Sequence, residues 1–165
     1  MSTKIEVPMD PANPRATAEA AIALCRAGDW SRGLSVLADL VKERGLSDSV
    51  PGTAYSYLGY GIARYQRSVK EGLRLCEHAV KAQFYQPENH LNLARVHMLA
   101  KNRKAAVAAL IQGLRLDSRH SGLRALAAEL GVRKRPVLGF LKRNNLLNKT
   151  LGRMRHQIKQ NKDED

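Results

Sequence analysis

Small residues recur along this chain at offsets that only closely crossing helices require. The segment from Pro87 to His120, PENHLNLARVHMLAKNRKAAVAALIQGLRLDSRH, is 34 residues long. Leu93 and Ala94 take its seventh and eighth places, Ala106 the twentieth, Leu110 the twenty-fourth and Gly113 the twenty-seventh, while His90 stands at the fourth. Two helices of one hairpin approach closely only where Gly or Ala lets the backbones meet, and leucines fill the space beside them. A second copy lies upstream, with Tyr55, Leu58 and Gly59 at places four, seven and eight, followed by Gly72, Cys76 and Ala79. Its turn, around Tyr65–Val69, is expected to be about one residue longer than usual for such a repeat, and its exit after Ala79, through AQFYQP, about three residues longer. The second helix of that copy is therefore expected to continue to Phe84 or Tyr85 before Pro87 opens the next helix. A third copy covers Pro14 to Gly45, with Ala20, Ala21 and Leu24 in its first helix and Gly33 and Leu37 in its second. Gly28-Asp29-Trp30 makes its turn, Gly supplying a positive φ and Asp capping the next helix.

The spacing and these residues resemble the tetratricopeptide repeat (TPR) over 14–130. The resemblance implies an all-α fold: a right-handed solenoid of about three TPR-like helical hairpins, a capping helix and a C-terminal amphipathic helix. Leu123–Leu130 reads as the capping helix, ended by Gly131. The expected organisation is a flexible, polar and Pro-rich N-terminus over 1–13, the array over 14–130 and a basic tail over 131–165. The alternative is a plain helical bundle, also all-α, because several segments keep apolar residues at i, i+3, i+4 and i+7. A basic run before Pro136, then FLKR and NKTLGRMR, also looks like tails on small bacterial TPR proteins of unassigned role.

Charge divides the chain unevenly. The net is +13, yet residues 1–50 sum to −1, while residues 51–130 and 131–165 each carry +7. In the tail, Asn144-Asn145 is expected to cap a helix whose Leu147, Leu151, Met154 and Ile158 form one apolar stripe. Two compatible readings are open for it. The stripe closes the apolar end of the array while the cations face water, or Arg133, Lys134, Arg135, Lys142, Arg143, Lys149, Arg153 and Arg155 bind an anionic membrane surface, RNA or an acidic protein. Cys25 and Cys76 lie far apart in helical patterns and read as small buried thiols in a reducing compartment. The N-terminus has no apolar leader, and no apolar run approaches the ~20 residues of a membrane span, so a cytoplasmic location is expected.

No catalytic constellation emerges. His78, His90, His97, His120 and His156 are never paired at i, i+4, no phosphate-loop, dinucleotide, nucleophile-elbow or zinc-protease motif occurs, and the carboxylates of the basic half lie among cations. The expectation is a non-enzyme with no metal and no cofactor. In the TPR family the first helix of each repeat lines a groove that takes peptides. The matching positions here are Ser56, Tyr60 and Ala63, with Tyr57 alongside, and Glu88, Leu91, Arg95 and Met98, with Asn92 alongside. Tyr57, Tyr60, Asn92, Arg95 and Met98 are the candidate partner-groove residues, Arg95 and Asn92 for a carboxylate or amide and the others for apolar contact. The leading reading is a scaffold or adaptor that binds an acidic or mixed peptide of another protein. The alternatives are an electrostatic adaptor on anionic membrane or nucleic acid, and self-association by end-to-end stacking.

Overall fold

The computed structural model describes residues 13–131. The expected flexible N-terminus up to residue 12, the capped and striped tail helix and all eight tail cations lie outside the described residues. The chain divides into two units, Met1–Leu130 and Gly131–Asp165. Among the described residues there are helices and no strand: α1 (Pro14–Arg26), α2 (Trp30–Arg44), α3 (Gly52–Tyr65), α4 (Val69–Ala82), α5 (Pro87–Leu99), α6 (Arg103–Leu116) and α7 (Ser121–Glu129). Helices α1/α2, α3/α4 and α5/α6 pair as hairpins, α3 bridges α1 and α5, and α7 packs on α6. The array is an all-α solenoid of helical hairpins with a final single helix.

The three hairpin turns share one design. Ala27-Gly28-Asp29, Gln66-Arg67-Ser68 and Ala100-Lys101-Asn102 each hold a central residue at positive φ, 94° for Gly28 and 58° for both Arg67 and Lys101. Asp29 Oδ1 then accepts the Arg32 N–H at 3.2 Å, and Asn102 Oδ1 the Ala105 N–H at 3.1 Å, so one of the donors that open each of α2 and α6 is satisfied. The expected longer turn after Tyr65 is corrected. All three turns span three residues, and the extra residue sits inside α3, which has 14 residues against 13 in α1 and α5. A helix absorbs one residue at its end without disturbing the crossing below it, whereas a longer turn would give up the bonds that close the hairpin.

The crossings lie where the small residues place them. A β-carbon added at Gly72 would fall 2.5 Å from the Gly59 carbonyl oxygen and 2.7 Å from the Ala63 methyl, so these two helices tolerate nothing larger. Around the crossings Leu37, Leu75, Leu110 and Leu123 are fully buried, each contributing roughly 2 kcal/mol of transfer free energy. Tyr55, buried beside them, donates its hydroxyl to the Gly45 carbonyl at 2.9 Å and accepts the Ser47 N–H at 2.9 Å, which ties the α2–α3 loop to the core. The expected extension of α4 to Phe84 or Tyr85 is also corrected, since α4 ends at Ala82. Asn89 Nδ2 donates to the Ala79 and Gln83 carbonyls, both at 3.1 Å, and the His90 ring bonds the Phe84 carbonyl at 2.8 Å. Side chains of α5 thus tie down the end of α4 and the loop after it, at carbonyls of which Ala79 also keeps the Gln83 N–H at 2.9 Å.

Candidate functional site

The helices that open each hairpin, α1, α3 and α5, share one face, and a buried polar chain fixes its centre. Ser56 Oγ donates to the Thr53 carbonyl at 3.0 Å and accepts Asn92 Nδ2 at 3.2 Å, and Asn92 Oδ1 accepts Arg95 Nη1 at 3.3 Å. Both Ser56 and Asn92 are fully buried, so Asn92 does not present its amide outward but steadies Arg95 from behind. The Arg95 guanidinium lies over the Tyr60 ring, 5.2 Å from its centroid, a cation–π contact that holds the charge at the surface.

Tyr57 is buried as well, and it joins three hairpins. Arg26 of α1 donates to its hydroxyl at 3.0 Å and, through the other arm, to Glu88 of α5, while the Tyr57 hydroxyl donates to the same carboxylate. Burial and the adjacent Glu88 push the Tyr57 hydroxyl well above the ordinary tyrosine range, and Glu88 raises the Arg26 guanidinium in turn. Arg26 and Glu88 neutralise each other here. Trp30, at the start of α2, stacks on Tyr57 with centroids 6.0 Å apart and meets Tyr60 edge-on at 5.4 Å and Tyr65 at 5.7 Å.

Beyond this aromatic group the face opens into a hollow of about 360 Å³, lined by Tyr60, Arg64, Arg95, Met98, Leu99 and, on α7, Leu126 and Glu129. Among the described residues neither Arg64 nor Arg95 has a carboxylate in ion-pair range. Of the five groove residues read from the sequence, Tyr60, Arg95 and Met98 meet at this hollow, and Tyr57 and Asn92 support it from within. Arg26, Trp30, Arg64 and Leu126 were missed. Trp30 reads in sequence only as part of a turn, and the other three carry no repeat signature.

Cys25 and Cys76 are buried and unpaired. Burial pushes the Cys25 thiol up to about 11 and Cys76 further in the same direction, so neither supplies thiolate near neutrality. Comparison with known proteins adds one kind of match. No family model and no curated protein matches the chain. Among solved structures it is similar to the TPR domain of Arabidopsis OM64, with a TM-score of 0.55 and 14% identity over 69% of this chain and 90% of that one. The fold is TPR-like. At that identity the likeness speaks for the fold alone. Among the described residues, no helix is long and apolar enough to cross a membrane.

Proposed function

We propose that this chain is a non-catalytic interaction module, a scaffold or adaptor that holds an acidic or mixed peptide of another protein against the face of α1, α3 and α5. The observation that carries this reading is the hollow itself. Two arginines with no carboxylate partner among the described residues flank it, while Tyr60, Met98, Leu99 and Leu126 offer apolar contact between them. A ligand carboxylate on Arg64 or Arg95 gains a charge-assisted bond, and an adjoining apolar side chain fills the space below. Arg26 is already occupied by Glu88, so attraction for an acid rests on Arg64 and Arg95, which among the described residues outnumber the one carboxylate of the hollow, Glu129. The reading carries a cytoplasmic setting, which two buried, unpaired thiols favour. The basic segment 132–165, on its composition, is assigned as an end cap or second contact.

The test is selection of random displayed peptides on the full chain. Selected peptides should combine Asp or Glu with a large apolar residue, and Arg95→Glu should weaken them at least about tenfold, as loss of one charge-assisted contact implies. Peptides that bind Arg95→Glu and Tyr60→Ala as well as the parent protein would overturn the assignment.

A further inference from the structure

A second surface, bordering the hollow at Arg64, is built at the turns of the second and third hairpins. Arg67 and Lys101 occupy the same place in successive turns, both with φ of 58°. The first hairpin fills that place with Gly28, the residue for which left-handed backbone carries no steric penalty. At both other turns the chain sets an exposed cation in this strained conformation. Complementing the dipoles of α3 and α5 does not require it, because a cation one turn earlier would do so with ordinary helical backbone. Strain kept at equivalent sites, on the same side-chain chemistry, points to use of the side chain itself.

The surroundings repeat the pattern. Lys70 and Lys104 follow in the first turns of α4 and α6, and both are exposed. Among the described residues none of these four cations has a carboxylate in ion-pair range, while the nearby acids Asp29 and Glu71 are held by Arg32 and Arg74. Tyr65, half exposed at the end of α3, precedes Arg67 by two residues, with the Arg64 guanidinium 5.7 Å from its ring centroid and the Trp30 ring 5.7 Å away. Exposed cations interleaved with an accessible, stiffly held aromatic form the footprint of a single-stranded polyanion whose units stack. A bilayer would want several apolar side chains to insert; among the described residues Leu99, which lines the hollow, is the large exposed aliphatic beside these turns, while Leu46, Phe84, Tyr85 and Leu116 lie at the opposite end, in or beside the loops between hairpins.

We propose that this turn surface binds single-stranded nucleic acid, with phosphates on Arg67, Lys70, Lys101 and Lys104 and a base stacked on Tyr65. The test uses the full chain, so that segment 132–165 is the same in every protein compared. Binding of labelled oligouridylate and oligothymidylate, each about 20 nucleotides, is followed by fluorescence anisotropy across a salt series. Each phosphate contact on a single strand contributes about 0.7 to the logarithmic salt slope, so Arg67→Gly with Lys101→Gly should flatten it by about 1.4 and weaken binding about 25-fold near 0.1 M salt. Tyr65→Ser should weaken binding about tenfold and leave the slope unchanged. Glycine suits the backbone at both turns, so the double variant should melt no lower than the parent and loss of fold is excluded as the cause. The two oligonucleotides separate RNA from DNA, and either one binding in this way supports the proposal. An unchanged affinity and slope in the double variant would overturn it. So would loss of binding to phosphatidylglycerol vesicles in that variant with oligonucleotide binding intact, which would make the surface a membrane contact. Peptides selected for the hollow should not displace the oligonucleotide; displacement would merge the two surfaces and overturn their separation. Because the variants differ from those at Arg95 and Tyr60, failure of either idea leaves the other standing.

Discussion

Left-handed backbone at Arg67 and Lys101 costs about 1 kcal/mol at each site, somewhat more than the extra unfolded-state freedom that a glycine brings. Arg67→Gly and Lys101→Gly are each expected to raise the melting temperature by a few degrees, on the order of 2–4 °C, whereas Gly28→Ala, with φ of 94° at the first turn, should lower it by a similar amount. Calorimetry of the single variants checks both signs. A second expectation at this scale concerns pH. The Cys25 thiol titrates near its ordinary 9.0 when unfolded and at about 11 in the fold, because burial disfavours the thiolate. The folded state therefore binds more protons between those values. The stability this confers is full below pH 9 and falls by about 2 kcal/mol as pH rises to about 11. Urea midpoints measured at pH 8 and pH 11 should drop less in Cys25→Ala than in the parent; an equal drop would exonerate this thiol. Burial of both thiols was legible in the sequence, since each sits within an apolar helical pattern. The buried position of Asn92 was not, because its partner Ser56 lies a whole repeat away.

At the scale of elements, the α3–α4 crossing is the least forgiving contact. Gly72→Ala would put a methyl 2.5 Å from the Gly59 carbonyl oxygen, and the helices can separate only by disturbing Ala63 and Leu75 beside them. A loss of 2–3 kcal/mol is expected in denaturant unfolding, roughly the range for overpacked cores. Asn89→Ala should cost about 1 kcal/mol for a different reason, since the Ala79 and Gln83 carbonyls lose their side-chain donor and keep only the Gln83 and Gln86 N–H groups. Amide exchange from Val80 to Gln86 should quicken in that variant; protection equal to the parent's would show that the cap does not hold the loop. The starts of α1, α2, α5 and α6 follow from local signals, Pro14, Asp29, Pro87 and Asn102. The end of α4 does not, because what stops it belongs to the next helix.

Across the whole molecule, Arg26, Tyr57 and Glu88 link three hairpins through one hydroxyl and one ion pair. Arg26 is more than half exposed, so solvent screens the charge and the coupling between Arg26→Ala and Glu88→Ala is expected to stay below about 1 kcal/mol and to shrink with salt. A double-mutant cycle at two ionic strengths measures it. The repeat, the helical hairpins and the places where helices touch are written in local sequence, because a close crossing needs Gly or Ala at set distances along one stretch of chain. Local sequence also placed Tyr60, Arg95 and Met98 on the face that opens. Tertiary structure alone decided that Tyr57 and Asn92 turn inward, that Trp30 gathers three tyrosines, and that Arg67 and Lys101 recur on one surface. Those outcomes depend on the relative placement of helices from different hairpins, and no local spacing encodes it.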